Sequence, residues 1–330
     1  MGRQGDIEGD GMKSHLLVDY DSTIPNFALM KISAWVKQHG DIVYLNETEQ
    51  DPDEIWLSCI FTWNRSRAEM AISLFRARFP NANIHFGGTG FDWGRIGNRI
   101  KLPPEIEMMH PDYSLYDDDR AVTFTERGCI RKCEFCDVWR KEGTPNSYHR
   151  LRDWVPDGFR KVLELGNEIA ASSHHDEILQ DAVDMGLKIS LTQGYDIRLV
   201  TEDKAGLLAE NKPYDLNFRE RQLYFSWDYP QNENWIRRGI PMLLDAGFKG
   251  RELVCYVLVG HRSTFEQDVY RARTLRNEFG VLTYIMPYNN RKDDQNLNNL
   301  RRWANRRQLY KSMDFPEYDV HFRKQEKALP

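Results

Sequence analysis

Three of the chain's five cysteines, Cys129, Cys133 and Cys136, fall within the eight residues CIRKCEFC. Clustered thiolates bind soft metals, yet a structural zinc or a stored iron–sulfur cluster takes four protein ligands, and this run offers three. Two chemistries fit that deficit. Three thiolates can hold three irons of a cubic 4Fe-4S cluster and leave the fourth iron open to a substrate or cofactor, as catalytic zinc sites keep an open position. Alternatively, a more distant histidine such as His149 completes a Cys3His zinc site, an ordinary ligand set. The other two cysteines, Cys59 in IWLSCIF and Cys255 in ELVCYVLVG, lie in apolar runs and read as small buried hydrophobes. One cluster and two isolated thiols do not make a disulfide framework, so a reducing compartment is expected.

The elements around the cluster give it a place. From Ala121 onward six short apolar runs read as strands: AVTFTE, KVLELGN, KISLTQ, LYFSWD, LVCYVLVG and VLTYIMPY. Between them HHDEILQDAVDMG, EDKAGLLAEN, NENWIRRGIPMLLDAG and TFEQDVYRARTLRNEFG have helical spacing, which makes six β/α units, two short of a closed eight-stranded barrel. The cysteines follow the first of these strands, at the carboxyl end where α/β sheets keep their chemistry. Upstream, SHLLVDYD, DIVYL, IWLSCIF and NIHFGG read as strands, with helices from about Asn26 to His39 and at SRAEMAISLFRARF. That βαβ rhythm predicts a parallel sheet. The proline-bearing RIKLPPEIEMMHPDYSLYDDD reads as an irregular connector, and Leu297 to about Met313 as one final helix with Leu300, Trp303 and Leu309 near one side. The expected organisation is a tail at 1–13, a Rossmann-like domain at 14–118, a barrel at 119–290 and a helical extension at 291–330.

With its aromatic at Phe135, the cysteine run matches C-x3-C-x-aromatic-C and resembles the signature of the radical S-adenosylmethionine enzymes. In that family the amino and carboxylate groups of S-adenosylmethionine chelate the open iron, and one electron from the cluster yields a 5'-deoxyadenosyl radical. The resemblance implies a partial (β/α)6 TIM-type barrel, the number of units counted above. It implies further that Gly166-Asn167-Glu168, at the place of a Gly-Gly-Glu turn, receives the methionyl amino group, with Asn167 departing from the second glycine. Gln193 or Asp196 would take the ribose hydroxyls, Arg198 the methionyl carboxylate, and Val259-Gly260 would let the backbone approach the adenine. Ser226 and Asp228 end the fourth strand on one face and either touch substrate or cap the next helix. His261, Arg262, Tyr288 and Asn289 are weaker candidates near the same mouth, and Thr264 with Gln267 reads as a capping box. Such an enzyme takes an external one-electron reductant of the flavodoxin or ferredoxin type and a substrate that the sequence does not identify.

Together the domains resemble radical enzymes that carry a cobalamin-binding-type domain ahead of the barrel. Ser58-Cys59-Ile60 and Gly87-Gly88 match two elements of such a domain, but the Asp-x-His-x-x-Gly loop is missing, since DYDSTIPN has no histidine. The domain is therefore expected to be degenerate, to lack cobalamin and to help close the barrel mouth. Cobalamin-dependent methyl transfer, RNA modification and the zinc module remain as alternatives. Forty-five basic against fifty acidic residues, a net charge of -5, give no overall field for nucleic acid, although RRWANRR would place a basic face on the last helix. No run approaches the roughly eighteen apolar residues of a membrane helix, and MGRQGDIEGDGMKSH lacks a signal peptide's apolar stretch, so a cytoplasmic protein is expected.

Overall fold

Alternating apolar residues in β1 (Ser14–Asp19) sort its side chains to two faces, and each face acquires its own helix. The computed structural model describes residues 11–92, 100–290 and 293–318, and the chain divides into two compact units between Asp118 and Asp119. Of the expected tail at 1–13, the first ten residues lie outside the described residues.

In the first unit β1, β2 (Ile42–Leu45), β3 (Glu54–Ser58) and β4 (Asn83–Gly87) form a parallel sheet in the order β2-β1-β3-β4. Leu16 and Val18, in register with Ile55 and Leu57, pack with Ala68 and Ile72 of α2 (Arg65–Arg78). Leu17 meets Leu29, Ile32 and Val36 of α1 (Phe27–Gln38) on the opposite face. Asn26 starts α1 by accepting from the Leu29 amide at 3.2 Å, and its own amide donates to Ser58 Oγ at 2.9 Å. Two one-turn helices follow, α3 (Thr89–Asp92) and α4 (Pro104–Glu107). The connector is thus less irregular than its prolines suggest: Ile106 of α4 is buried in the α1 core.

In the second unit, β5 (Arg120–Thr123) leads into a two-stranded antiparallel hairpin of β6 (Glu126–Arg127) and β7 (Ser147–Tyr148). Between them lie the cysteines and the one-turn α5 (Val138–Lys141), and α6 (Leu151–Trp154) follows. β8 (Lys161–Glu164) and β9 (Lys188–Ser190) join β5 in a parallel sheet ordered β5-β8-β9. β10 (Leu223–Ser226), β11 (Leu253–Val259) and β12 (Leu282–Pro287) form another, ordered β10-β11-β12. A single parallel bridge, Tyr195 to Phe225, connects the two, with the Tyr195 amide donating to the Tyr224 carbonyl at 2.8 Å. The six expected strands are therefore present in chain order and parallel. Among the described residues the outer strands β5 and β12 do not pair, so no closed barrel forms.

Helices α7 (His175–Asp184), α8 (Glu202–Asn211), α9 (Glu233–Asp245) and α10 (Phe265–Asn277) alternate with the strands. The Thr264–Gln267 capping box forms at the start of α10 as read from the sequence. One face of β10-β11-β12 carries Phe225, Cys255, Val257 and Ile285 and is buried; the other carries Ser226, Tyr256 and Tyr284, in register across the sheet, and is half open. The final helix is two: α11 (Gln295–Asn305) and α12 (Arg307–Ser312) break at Arg306, whose backbone is extended. The break follows from Asn305, whose amide serves the free edge of β12, accepting from the Ile285 N–H at 2.7 Å and donating to its carbonyl at 3.1 Å. Leu300 and Trp303 are buried as expected, but Tyr310 rather than Leu309 fills the third core position.

Candidate functional site

The cysteine loop leaves β6 through Gly128, whose φ of +97° and the position of the Thr144 carbonyl, 2.4 Å from where a Cβ would stand, admit no side chain. The Gly143 carbonyl takes the Cys129 amide at 3.1 Å, the Cys133 carbonyl takes the Cys136 amide at 3.1 Å, and the Trp139 indole closes on the Cys133 carbonyl at 3.0 Å. All three thiols are free and half buried. Burial first, then the charges of Glu168, Cys136 and Cys133, pushes Cys129 up to about 11; burial likewise raises Cys133 and Cys136. The thiols thus lie within electrostatic reach of one another and, for Cys133, of Asp228, Arg198 and Asp196.

Three neighbouring strand ends grip this loop. Asn167, after β8, accepts the Gly128 amide at 2.8 Å, so the residue that departs from the glycine pattern acts as the loop's anchor. Arg131, between the first two cysteines, donates to Asp196 after β9 at 2.9 Å. Glu134 pairs with Arg262, after β11, at 2.5 Å. These tethers were not legible as such; their only signal was that the positions between the cysteines are charged.

Glu168 sits in a knot of carboxylates. Glu126 accepts the Glu168 amide at 2.6 Å, and buried Glu164 accepts the amides of Thr125 at 3.0 Å and Gly166 at 2.7 Å. A Cβ on Gly166 would stand 2.6 Å from Glu164 Oε1 and 2.8 Å from Glu126 Oε1, which explains the glycine. Burial, then repulsion from Asp196, pushes Glu168 up to about 8, and burial raises Glu164 to about 8 as well. Glu168 has no salt-bridge partner among the described residues; its Oε1 accepts the amides of Ala170 and Asp196, each at 3.2 Å. A buried carboxyl held this high is relieved by any cation that reaches it.

Arg198, expected to face a carboxylate of the cofactor, holds Asp196 with two bonds of 2.6 and 2.9 Å. Burial opposes ionisation of Asp196, but the hydrogen bonds and charge of Arg198, then Arg131, keep it below the usual carboxylate range. Gln193 is exposed on the turn after β9. Ser226 donates to Asp228 at 2.8 Å, and burial raises Asp228. Phe135 lies tilted against Tyr229 and edge to face with His261, ring centres 5.8 Å apart in each pair, and His261 contacts Tyr288 at 4.4 Å. Val259 is wholly buried, and Gly260, with φ of +70°, spends its amide on Asp268 at 2.9 Å. Asn289, at φ +55°, ends the turn after β12.

The ends of β10 and β11 are held by Arg271 of α10, which is wholly buried, donates to the carbonyls of Trp227 and Leu258 and pairs with Asp268. His149 donates its amide to the Thr125 carbonyl at 2.8 Å and packs its ring against Trp154 at 4.4 Å. Among the described residues no three His, Cys, Asp or Glu side chains converge on one metal ion. A cubane makes a different demand, since each cysteine takes its own iron and the sulfurs surround the cluster. Three free, mutually sensing thiols on one loop fit that demand.

In the first unit, Ser58, Phe86, Gly87 and Gly88 help line a cavity of about 450 Å3 with mostly apolar walls. The second glycine of the pair has a packing reason: a Cβ on Gly88 would meet the Cys59 carbonyl at 2.3 Å.

No protein-family model matches the chain, and no curated protein matches it. Among solved structures, the crystal structure of Streptococcus suis SuiB bound to S-adenosylmethionine is similar at 15% identity and a TM-score of 0.39, over 79% of this chain and 60% of that one. The chain therefore spans less than two thirds of that protein's length. No helix among the described residues is long and apolar enough to cross a membrane.

Proposed function

We propose that the second unit is a radical S-adenosylmethionine enzyme domain. One observation carries this reading: the loop that bears three free thiols at the carboxyl end of β5 is tied to Asn167 after β8 and, through Arg131, to Asp196 after β9, and Asp196 is itself bonded to Glu168 and Arg198. Cys129, Cys133 and Cys136 would hold three irons of a 4Fe-4S cluster. When bound, the cluster and S-adenosylmethionine together supply reductive cleavage of the sulfonium and a 5'-deoxyadenosyl radical that takes hydrogen from the substrate.

The chain's own residues would do the rest. Glu168 offers a carboxyl whose burial is unrelieved, and the methionyl ammonium would relieve it. Arg198 has its Nε and one Nη on Asp196, so a carboxylate of the cofactor would meet the remaining amino group of its guanidinium. Phe135, with Gly260 and Tyr288, would frame the adenine, and Gln193 would reach the ribose from its exposed turn. The tethers at Asn167, Arg131 and Glu134 keep the loop in one geometry, so that the cluster forms in a preset place. An external flavodoxin- or ferredoxin-type protein would deliver the electron. The first unit is proposed as a Rossmann-like domain without cobalamin, because DYDSTIPN, at the end of its first strand, has no histidine and the second glycine of its pair is accounted for by packing.

Anaerobic reconstitution tests the proposal. About four irons per chain, a broad brown absorption and reductant-dependent 5'-deoxyadenosine support it. Cys133→Ala should abolish both iron loading and 5'-deoxyadenosine; a colourless protein with one zinc per chain would instead establish the Cys3His reading through His149.

A further inference from the structure

A second cavity, of about 560 Å3, opens beside the half-open face of β12. It is lined by Tyr284, Asn298, Asn305 and three arginines, Arg301, Arg302 and Arg306. Tyr284 is 48% exposed and Met286, on the same face of β12, 43%, and the Tyr284 and Tyr256 rings stand edge to face at 5.9 Å. Nearby, Arg307 pairs with Glu220 and Arg273 with Asp314, while Arg238 and Arg276 of the same unit spend their guanidiniums on backbone carbonyls. Neither Arg301 nor Arg306 has a carboxylate partner among the described residues. Basic residues at the end of a helix are favoured by its dipole, which accounts for one such residue in the last turn of α11 but not for a cavity walled by three. An anion entering the cavity would meet Arg301 and Arg306, whose planar forks suit phosphate and carboxylate alike.

The register places this cavity relative to the cofactor site. Ser226, Tyr256 and Tyr284 are successive partners across β10, β11 and β12, so two strand spacings, about 10 Å, separate Ser226 from Tyr284. Ser226 in turn holds Asp228, at the end of β10 that faces the proposed cofactor site.

We infer that this cavity is the anion subsite for a small-molecule substrate, binding its phosphate or carboxylate group. That the bound molecule is a substrate rests on the radical reading above; that the cavity binds an anion does not. Its volume lies within the roughly 300–1,000 Å3 of small-molecule sites, whereas a nucleic acid needs an extended basic track that a chain of net charge -5 does not otherwise display.

The test uses the full chain without its cluster, as the Cys129→Ala/Cys133→Ala/Cys136→Ala variant, and titrates inorganic pyrophosphate and, separately, tricarballylate by calorimetry at low salt. One or both anions should bind one to one. Arg301→Gln with Arg306→Gln should weaken that binding at least about tenfold at an unchanged melting temperature, while Arg251→Gln, at an exposed arginine elsewhere on the unit, should leave it intact. Pyrophosphate alone assigns a phosphate, tricarballylate alone a carboxylate. The inference is overturned if neither anion binds, if Arg251→Gln weakens binding equally, or if only single-stranded RNA binds, with affinity that grows with length. Because the cluster is absent throughout, a negative result leaves the radical chemistry standing, and failure of iron loading leaves a positive result standing.

Discussion

Glu168 and Glu164 share a composition and nearly share a location, but they are asked for different things. Glu168 stands beside Asp196 without a cation of its own, so Glu168→Gln, which preserves shape and removes charge, should weaken S-adenosylmethionine binding at least about tenfold and leave iron content unchanged. Glu164 is wholly enclosed and serves the Thr125 and Gly166 amides. Its folded-state pKa, about 8, stands above the ordinary 4.5, so the folded protein holds that proton more tightly than the unfolded chain. Stability is therefore fully present below about pH 4.5 and declines as pH rises toward 8, with a slope of up to ~1.4 kcal/mol per pH unit. Glu164→Gln keeps an acceptor for the two amides and should flatten that decline; melting curves between pH 5 and 8 that stay parallel to the parent's would contradict it. At this scale the sequence showed the thiols and Glu168, because their spacing is local. It did not show Glu126, Glu164 or Asn167 as their supports, since those contacts span about forty residues.

Among the elements, α10 reaches furthest. Its Arg271 is wholly buried, and it ties the carbonyls that end β10 and β11 to Asp268 on the same helix. Arg271→Met leaves the buried Asp268 without its counter-charge and two carbonyls without that donor, which should cost about 3–5 kcal/mol in urea unfolding, far more than loss of the exposed Arg307–Glu220 pair at about 0–1 kcal/mol. A loss near that of the surface pair would show that α10 is not what holds these strand ends. The strands themselves and the α10 capping box were legible from apolar runs and from a four-residue pattern. The break between α11 and α12 was not. Periodicity runs straight through Arg306, and only the pairing of Asn305 with the backbone of Ile285 ends the first helix.

Across the whole molecule, every residue of the proposed cofactor site belongs to the unit that begins at Asp119. S-adenosylmethionine at about a hundred times its dissociation constant should stabilise the cluster-loaded protein by ~2.7 kcal/mol. Hydrogen-exchange protection should centre on residues 125–137, 164–168, 193–198 and 226–229. Protection centred elsewhere would separate the binding site from the thiol loop.

The amino-acid sequence by itself determined which atoms could bind iron, and that strands alternate with helices, because thiol spacing and hydrophobic period are properties of neighbouring residues. Only the tertiary structure decided that Asn167, Arg131 and Glu134 hold the cysteine loop, that Arg198 is already engaged by Asp196, and that three arginines wall a cavity beside Tyr284. Those are contacts between side chains brought together when strands pair, and pairing is set by the packing of the whole sheet rather than by any one segment.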